Sequence, residues 1–139
     1  MPHRALADRL HSATIHLLRK LRVTDAETGL TAPRASALSV LVFGGPRTLG
    51  ALATAEQVRP PTMTRLVRDM ERDGLVTRRG DADDRRVQWI HPTPRGRKLL
   101  EQGRARRVGA LEAAIGRLTP SDRRVLAEAL PLIEQLARP

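Results

Sequence analysis

Proline inside an α-helix deletes a backbone hydrogen bond and collides with the preceding turn, so helices accept it only near their start. This chain sets Pro33, Pro60-Pro61, Pro94 and Pro120 directly ahead of stretches with helical apolar spacing. Those positions fix where four helices begin. Thr31-Ala32-Pro33 predicts a start with Thr31 or Ala32 as cap. The helix runs through Leu38, Leu41 and Val42 and stops at Phe43-Gly44-Gly45-Pro46. Ahead of it, residues 4–23 carry Leu6, Leu10, Ala13, Leu17 and Leu21 at spacings of three and four, one stripe of an amphipathic helix. Ile15 and Leu18 widen that apolar surface beyond what a small interior needs of a terminal helix, which suggests a partner surface. Thr24 to Leu30, with Asp25 and Gly29, reads as a loop.

Thr48 is a good N-cap for a short helix from Leu49 to about Ala55, burying Leu49, Leu52 and Ala53. A turn at Glu56-Gln57-Val58-Arg59 leads to Pro60-Pro61. The following helix buries Met63, Leu66, Val67 and Met70 and offers Thr62, Thr64, Arg65, Arg68, Asp69 and Arg72 to the outside, with Gly74 ending it. Two short helices joined by a tight turn, the second polar and basic outside, form a helix-turn-helix pattern. Residues 75–79 are β-prone, 80–84 form a turn cluster, and 85–91 predict a second strand. The expected product is a two-stranded wing bearing four arginines, with Arg85 and Arg86 on opposite faces by strand alternation. Thr93-Pro94 opens a helix to about Leu118, with Leu100, Val108, Leu111, Ile115 and Leu118 on its apolar side. Gly96, Gly103, Gly109 and Gly116 punctuate it. Thr119 caps a last helix bearing Val125, Leu126, Leu130, Ile133 and Leu136, with a kink or break expected near Glu128 to Leu130 because of Pro131. The fold class predicted is mainly α: one domain over residues 1–139, with a winged helix-turn-helix at 31–93 flanked by helical segments 1–30 and 94–139.

Charge then narrows the function. The chain holds 25 Lys+Arg against 15 Asp+Glu, a formal net charge of +10. All but Lys20 and Lys98 of the basic residues are arginine, whose planar fork suits phosphate and guanine edges. Codon bias in a GC-rich genome accounts equally well for the arginine preference, but not for the net charge. Residues 59–107 hold 14 basic and 7 acidic side chains, a net +7, and the remainder holds a net +3. The excess lies on the second helix of the helix-turn-helix pattern, the wing and the helix after it, pointing to nucleic acid.

Enzymatic and metal chemistry find little support. There is no cysteine, so thiol nucleophiles, thiol redox sensing and zinc-thiolate sites are excluded. His11 and His16 are five apart, off a common helix face, and His3 and His91 are remote in sequence. Ser12 with His16 makes no built nucleophile–base pair. Asp81, Asp83 and Asp84 lack the bidentate glutamate of a calcium loop. Trp89 reads as hairpin packing, since one aromatic makes no stacking platform. No metal, cofactor or catalytic residue is expected. No stretch approaches the ~18 apolar residues of a membrane span, and Met1-Pro2-His3-Arg4 lacks a signal-peptide core. The expected compartment is the cytoplasm.

These residues resemble the MarR family of bacterial transcription regulators. The likeness rests on Thr48 with Leu49 and Leu52-Ala53, on Pro61-Thr62-Met63-Thr64-Arg65-Leu66-Val67, and on Leu75-Val76-Thr77-Arg78. The wing segment Asp81-Ala82-Asp83-Asp84-Arg85-Arg86 and Thr93-x-x-Gly96 complete it, and the order helix, helix, winged helix-turn-helix, long helix, helix covers nearly the whole chain. Two places depart from the pattern. Arg59 and Pro60 stand where the family often has Ser-Arg, and Pro92 where it has an apolar strand residue.

The resemblance implies a homodimer built from the terminal helices and placed on a near-palindromic operator in double-stranded DNA. Arg59, Thr62, Thr64, Arg65 and Arg68 become reader candidates, Arg85 and Arg86 wing contacts with Arg86 in the minor groove, and Asp84 the residue steadying the wing arginine. Physical chemistry agrees: a narrow minor groove concentrates negative potential that an arginine on a slender hairpin can reach. Threonines at a helix start can donate to phosphates or meet thymine methyls. The resemblance also implies a small aromatic acid or phenol as releasing effector, near His11, Ile15, Arg19, Leu38 and Val42. A dimeric, ligand-released repressor is therefore the leading expectation; a ligand-independent DNA-binding or architectural protein is the alternative.

Overall fold

The computed structural model describes residues 1–23, 25 and 28–139. Of the expected loop at 24–30, Thr24, Ala26 and Glu27 lie outside the described residues. The elements are α1 (His3–Leu21), α2 (Ala32–Gly44), β1 (Arg47–Thr48), α3 (Leu49–Ala55), α4 (Pro60–Arg72), β2 (Val76–Gly80), β3 (Gln88–Pro92), α5 (Pro94–Gly116) and α6 (Pro120–Ala137). Backbone packing divides the chain into two compact units, Met1–Ala105 and Arg106–Pro139. The fold is mainly helical, as the sequence predicts.

In the first unit, α2, α3, α4 and the sheet enclose the core. Leu30, Leu38, Leu41, Leu52, Met63, Val67, Met70, Leu75, Val76 and Ile90 are fully buried or nearly so, each contributing roughly 1.5–3 kcal/mol by leaving water. Leu49, expected to be buried, and Leu66 pack against this cluster while remaining half-buried. α1 contributes nothing to it: no residue of that helix is buried, and Leu6, Ile15, Leu17 and Leu18 are exposed in the single chain.

Capping shows why the helices end where they do. The Thr48 hydroxyl accepts the Ala51 N–H at 3.2 Å. The tight turn after α3 is a Schellman motif, with Val58 N–H donating to Ala53 C=O (3.0 Å) and Gln57 N–H to Thr54 C=O (3.1 Å). It holds Gln57 at φ 56°, a left-handed conformation usually left to glycine. After α4 the same motif recurs with Gly74 at φ 75°: Leu75 N–H donates to Met70 C=O and Gly74 N–H to Glu71 C=O.

Two expectations are corrected and a third is narrowed. The sheet has three strands in the order β1-β3-β2, because Arg47 pairs with Ile90 and Thr48 with Trp89 alongside the β2–β3 hairpin. The second wing strand spans Gln88–Pro92, so Arg85, Arg86 and Val87 belong to the connecting turn and strand alternation does not set their directions. In the second unit α6 continues through Pro131 without a break, although the ring deprives the Ala127 carbonyl of its helical donor.

Candidate nucleic-acid interface

The helix α4 presents its polar face through its spacing. Met63, Val67 and Met70 turn into the core, and Thr62, Arg65 and Arg68 are thereby exposed. Arg59 is the exposed residue at the N-cap position. Pro60 and Pro61 have no N–H and Met63 N–H is bonded to the Arg59 carbonyl at 3.2 Å. The Thr62 N–H is left as the first-turn donor that can face an anion, at the positive end of the helix dipole. The Thr64 hydroxyl donates to the Pro60 carbonyl at 2.9 Å, so it is half-buried and turned back onto its own helix.

The arginines of α4 differ in availability. Arg72 lies 3.4 Å from Asp69 and 3.4 Å from Asp73. Asp73 is also the partner of Arg34 at 2.7 Å, and that hydrogen bond above all holds its carboxyl below the usual range. Arg65 and Arg68 form no ion pair among the described residues. The outward face therefore keeps two uncompensated guanidinium groups either side of its midpoint, and an ion-paired one at its C-terminal end.

The wing is built around two carboxylates. Asp84 accepts from Arg86 three times, from its backbone N–H (2.9 Å), its Nε (3.2 Å) and its Nη2 (3.2 Å). These bonds hold the Asp84 carboxyl below its ordinary value, the Arg86 side chain contributing most. The Arg86 side chain is nonetheless 90% exposed. Asp81 accepts the Asp83 and Asp84 N–H groups on one oxygen and the Trp89 indole N–H on the other, the indole bond being the main reason its carboxyl is also held low. The turn faces the start of α3, and Thr48, Leu49, Gly50 and residues 85–88 line one open cleft. At the wing's root the Arg78 guanidinium lies 3.4 Å from Glu71 of α4 and 3.4 Å from Gln88 of β3, tying the wing to α4.

Sequence reasoning missed Asp81 as a wing anchor, Glu71 as the tether of Arg78, and Arg47. The Arg47 guanidinium donates to the Gly44 carbonyl at 2.7 Å and closes the C-terminal end of α2. The run Gly80-Asp81-Ala82-Asp83-Asp84 signalled a turn without telling which aspartate would organise it.

The residues considered for an effector are not gathered in one place. Ile15 and Arg19 line a shallow groove on α1 with Leu18, Arg22 and Val23. His11 is exposed on the same helix but does not line the groove. Leu38 is fully buried in the core, where it packs against Gly96 at the start of α5, and Val42 is half-buried against that core. Leu38 is thus a core side chain and not a groove wall. No cluster of three metal-ligating side chains occurs, and no helix is long and apolar enough to cross a membrane, among the described residues.

Comparison with known proteins bears on this geometry. A family model described as MarR family matches residues 28–87, the segment from just before α2 to the wing turn. An HTH-type transcriptional regulator of Mycobacterium leprae, itself uncharacterised, is 33% identical over 94% of this chain and 92% of its own length. A candidate transcriptional regulator from Pseudomonas aeruginosa superposes with a TM-score of 0.84 at 32% identity, covering 99% of each chain. The fold also matches, at a TM-score of 0.74 and 21% identity over 99% of this chain and 100% of the other, a mutant of MepR from S. aureus bound to an oligodeoxyribonucleotide.

Proposed function

Because the chain belongs to the MarR family of transcription regulators, we propose that it is a homodimeric, sequence-specific reader of double-stranded DNA. In this reading α4 enters the major groove and the wing the adjacent minor groove. The observation that carries it is the pairing of free cations with anchored geometry. Arg65 and Arg68 stand uncompensated on the outer face of α4, and Arg86 is held forward by Asp84 on a turn tied back to α4 through Arg78 and Glu71. Arg59, Thr62 and Arg85 are exposed as well and add to these candidates, while Thr64 serves its own helix.

The dimer is supported by exposed apolar side chains on both terminal helices: Leu6, Leu17 and Leu18 on α1, and Val125, Leu130, Leu132 and Leu136 on α6. Fully burying a side chain of that size gains roughly 1.5–3 kcal/mol, and each of these keeps much of its surface in water. Repression released by a small aromatic acid has a narrower base, the α1 groove in which Arg19 and Arg22 flank Ile15, Leu18 and Val23. A carboxylate paired to guanidinium and a ring laid on apolar carbon suit that lining.

In vitro selection from random duplex DNA tests the central reading. The expected product is an imperfect palindrome with half-sites roughly 10 base pairs apart, the spacing a two-fold pair of reader helices imposes. Enrichment of an asymmetric site, or of none, would contradict it. Release of the selected duplex by aromatic acids, absent for an Arg19→Ala variant, separates the effector-controlled repressor from a constitutive binder.

A further inference from the structure

The segment that presents Arg85 and Arg86 has scarcely any interior to hold its shape, since residues 80–88 contain no buried side chain. Its order comes from hydrogen bonds, and these converge on Asp81. One carboxylate oxygen accepts the Asp83 N–H at 3.1 Å and the Asp84 N–H at 3.0 Å, which folds the start of the turn. The other accepts the Trp89 indole N–H at 2.9 Å, from the strand that leaves the turn. The backbone closes the same ring: Asp81 N–H donates to Val87 C=O at 3.0 Å, and Val87 N–H to Asp84 C=O at 3.1 Å. Asp84, placed by that ring, forks the Arg86 guanidinium.

We propose that Asp81 and Trp89 form the positioning pair of the wing, a side-chain bridge across the turn that pre-orders Arg86 for its DNA contact. The proposal rests on the reading of Arg86 given above. An unbridged turn would sample many conformations and lose that freedom on binding, which weakens the complex without removing any contact. Bridged, the turn enters the groove already shaped. Neither residue needs to touch DNA: Asp81 repels phosphate, and its carboxylate is occupied by three N–H groups.

The test is a double-mutant cycle on full-length protein, measured as affinity for the selected duplex across a salt series. Arg86→Ala should weaken binding and flatten the log–log salt slope by about 0.9 for each wing, near 2 for a dimer. Asp81→Ala should reproduce most of that loss, and Trp89→Phe, which keeps the aromatic body but removes the N–H, should reproduce part of it. Added to Arg86→Ala, either change should cost no more than about twofold further, because its route to DNA is already gone. Full additivity in the Arg86→Ala background would mean Asp81 acts elsewhere and would overturn the proposal. Wild-type binding by both Asp81→Ala and Trp89→Phe would do the same. If Arg86→Ala itself binds normally, the wing reading fails first and the proposal with it. Circular dichroism monitors folding, and if Asp81→Ala does not fold, the Trp89→Phe cycle decides alone.

Discussion

Arg65, Arg68 and Arg72 follow one another at three- and four-residue spacing along α4, yet their surroundings make them unequal. Arg72 sits between Asp69 and Asp73, which already neutralise it, whereas Arg65 and Arg68 face solvent without an ion pair among the described residues. A good bidentate arginine–guanine contact is worth about 1–3 kcal/mol of discrimination. Arg65→Ala should therefore weaken operator binding on that scale and change which bases a fresh selection recovers. Arg72→Ala should leave the selected sequence unaltered and the salt slope nearly so. Binding isotherms with both variants check this, and equal losses would show that the acidic neighbours do not set availability. Thr64 carries a similar lesson: the sequence places it on the outer face, but its hydroxyl is turned back to Pro60.

Among the elements, the junction of α4, β2 and α5 depends on one glycine. A Cβ added at Gly96 would run into the Leu75 carbonyl, a backbone atom that cannot swing away, and would also meet Leu38 at 3.2 Å. Thr93 secures the same junction, its hydroxyl donating to the Gly74 carbonyl at 2.6 Å and accepting the Gly96 N–H at 3.0 Å. Alanine at a helical position normally gains about 0.8–1.0 kcal/mol over glycine. Here the collision wins, and Gly96→Ala should lower stability by roughly 1–3 kcal/mol, as overpacking does. Chemical denaturation measures it; an unchanged or raised midpoint would mean α5 is free to shift away from Leu75. The sequence marked Gly96 as one of four interruptions in a helix, and tertiary contact turns it into a fitted surface.

At the scale of the molecule, α1 is the element the single chain explains least. It is 19 residues long with no buried side chain, whereas helices in proteins draw most of their stability from packing an apolar face. A second copy covering α1 would account for it, within an obligate-dimer interface of the order of 2,000 Å² or more. Deleting residues 1–22 should abolish the soluble dimer in sedimentation experiments. A well-folded, soluble monomer from that truncation would show that α1 has some other use. Charge works at this scale as well: the basic excess over residues 59–107 supplies sequence-independent attraction that concentrates the protein on DNA before any base is read.

The sequence by itself determined the helix starts, the short α3 with its cap, the polar face of α4 and the existence of a wing. Each depends on proline geometry, capping or 3.6-residue spacing, which act between residues a few positions apart. Tertiary structure alone decided the rest. β1 is two residues long and has no periodicity to detect; it is a strand because Arg47 and Thr48 pair with Ile90 and Trp89, some forty residues later. Leu38 became core because α2 packs against α3, α4 and the sheet, with Gly96 of α5 beside it. Of three aspartates in one turn, Asp81 became the anchor because the hairpin register set Trp89 opposite Arg79 and its indole N–H within reach of that carboxylate. Partners distant in sequence are chosen by how elements pack, and no local pattern records that choice.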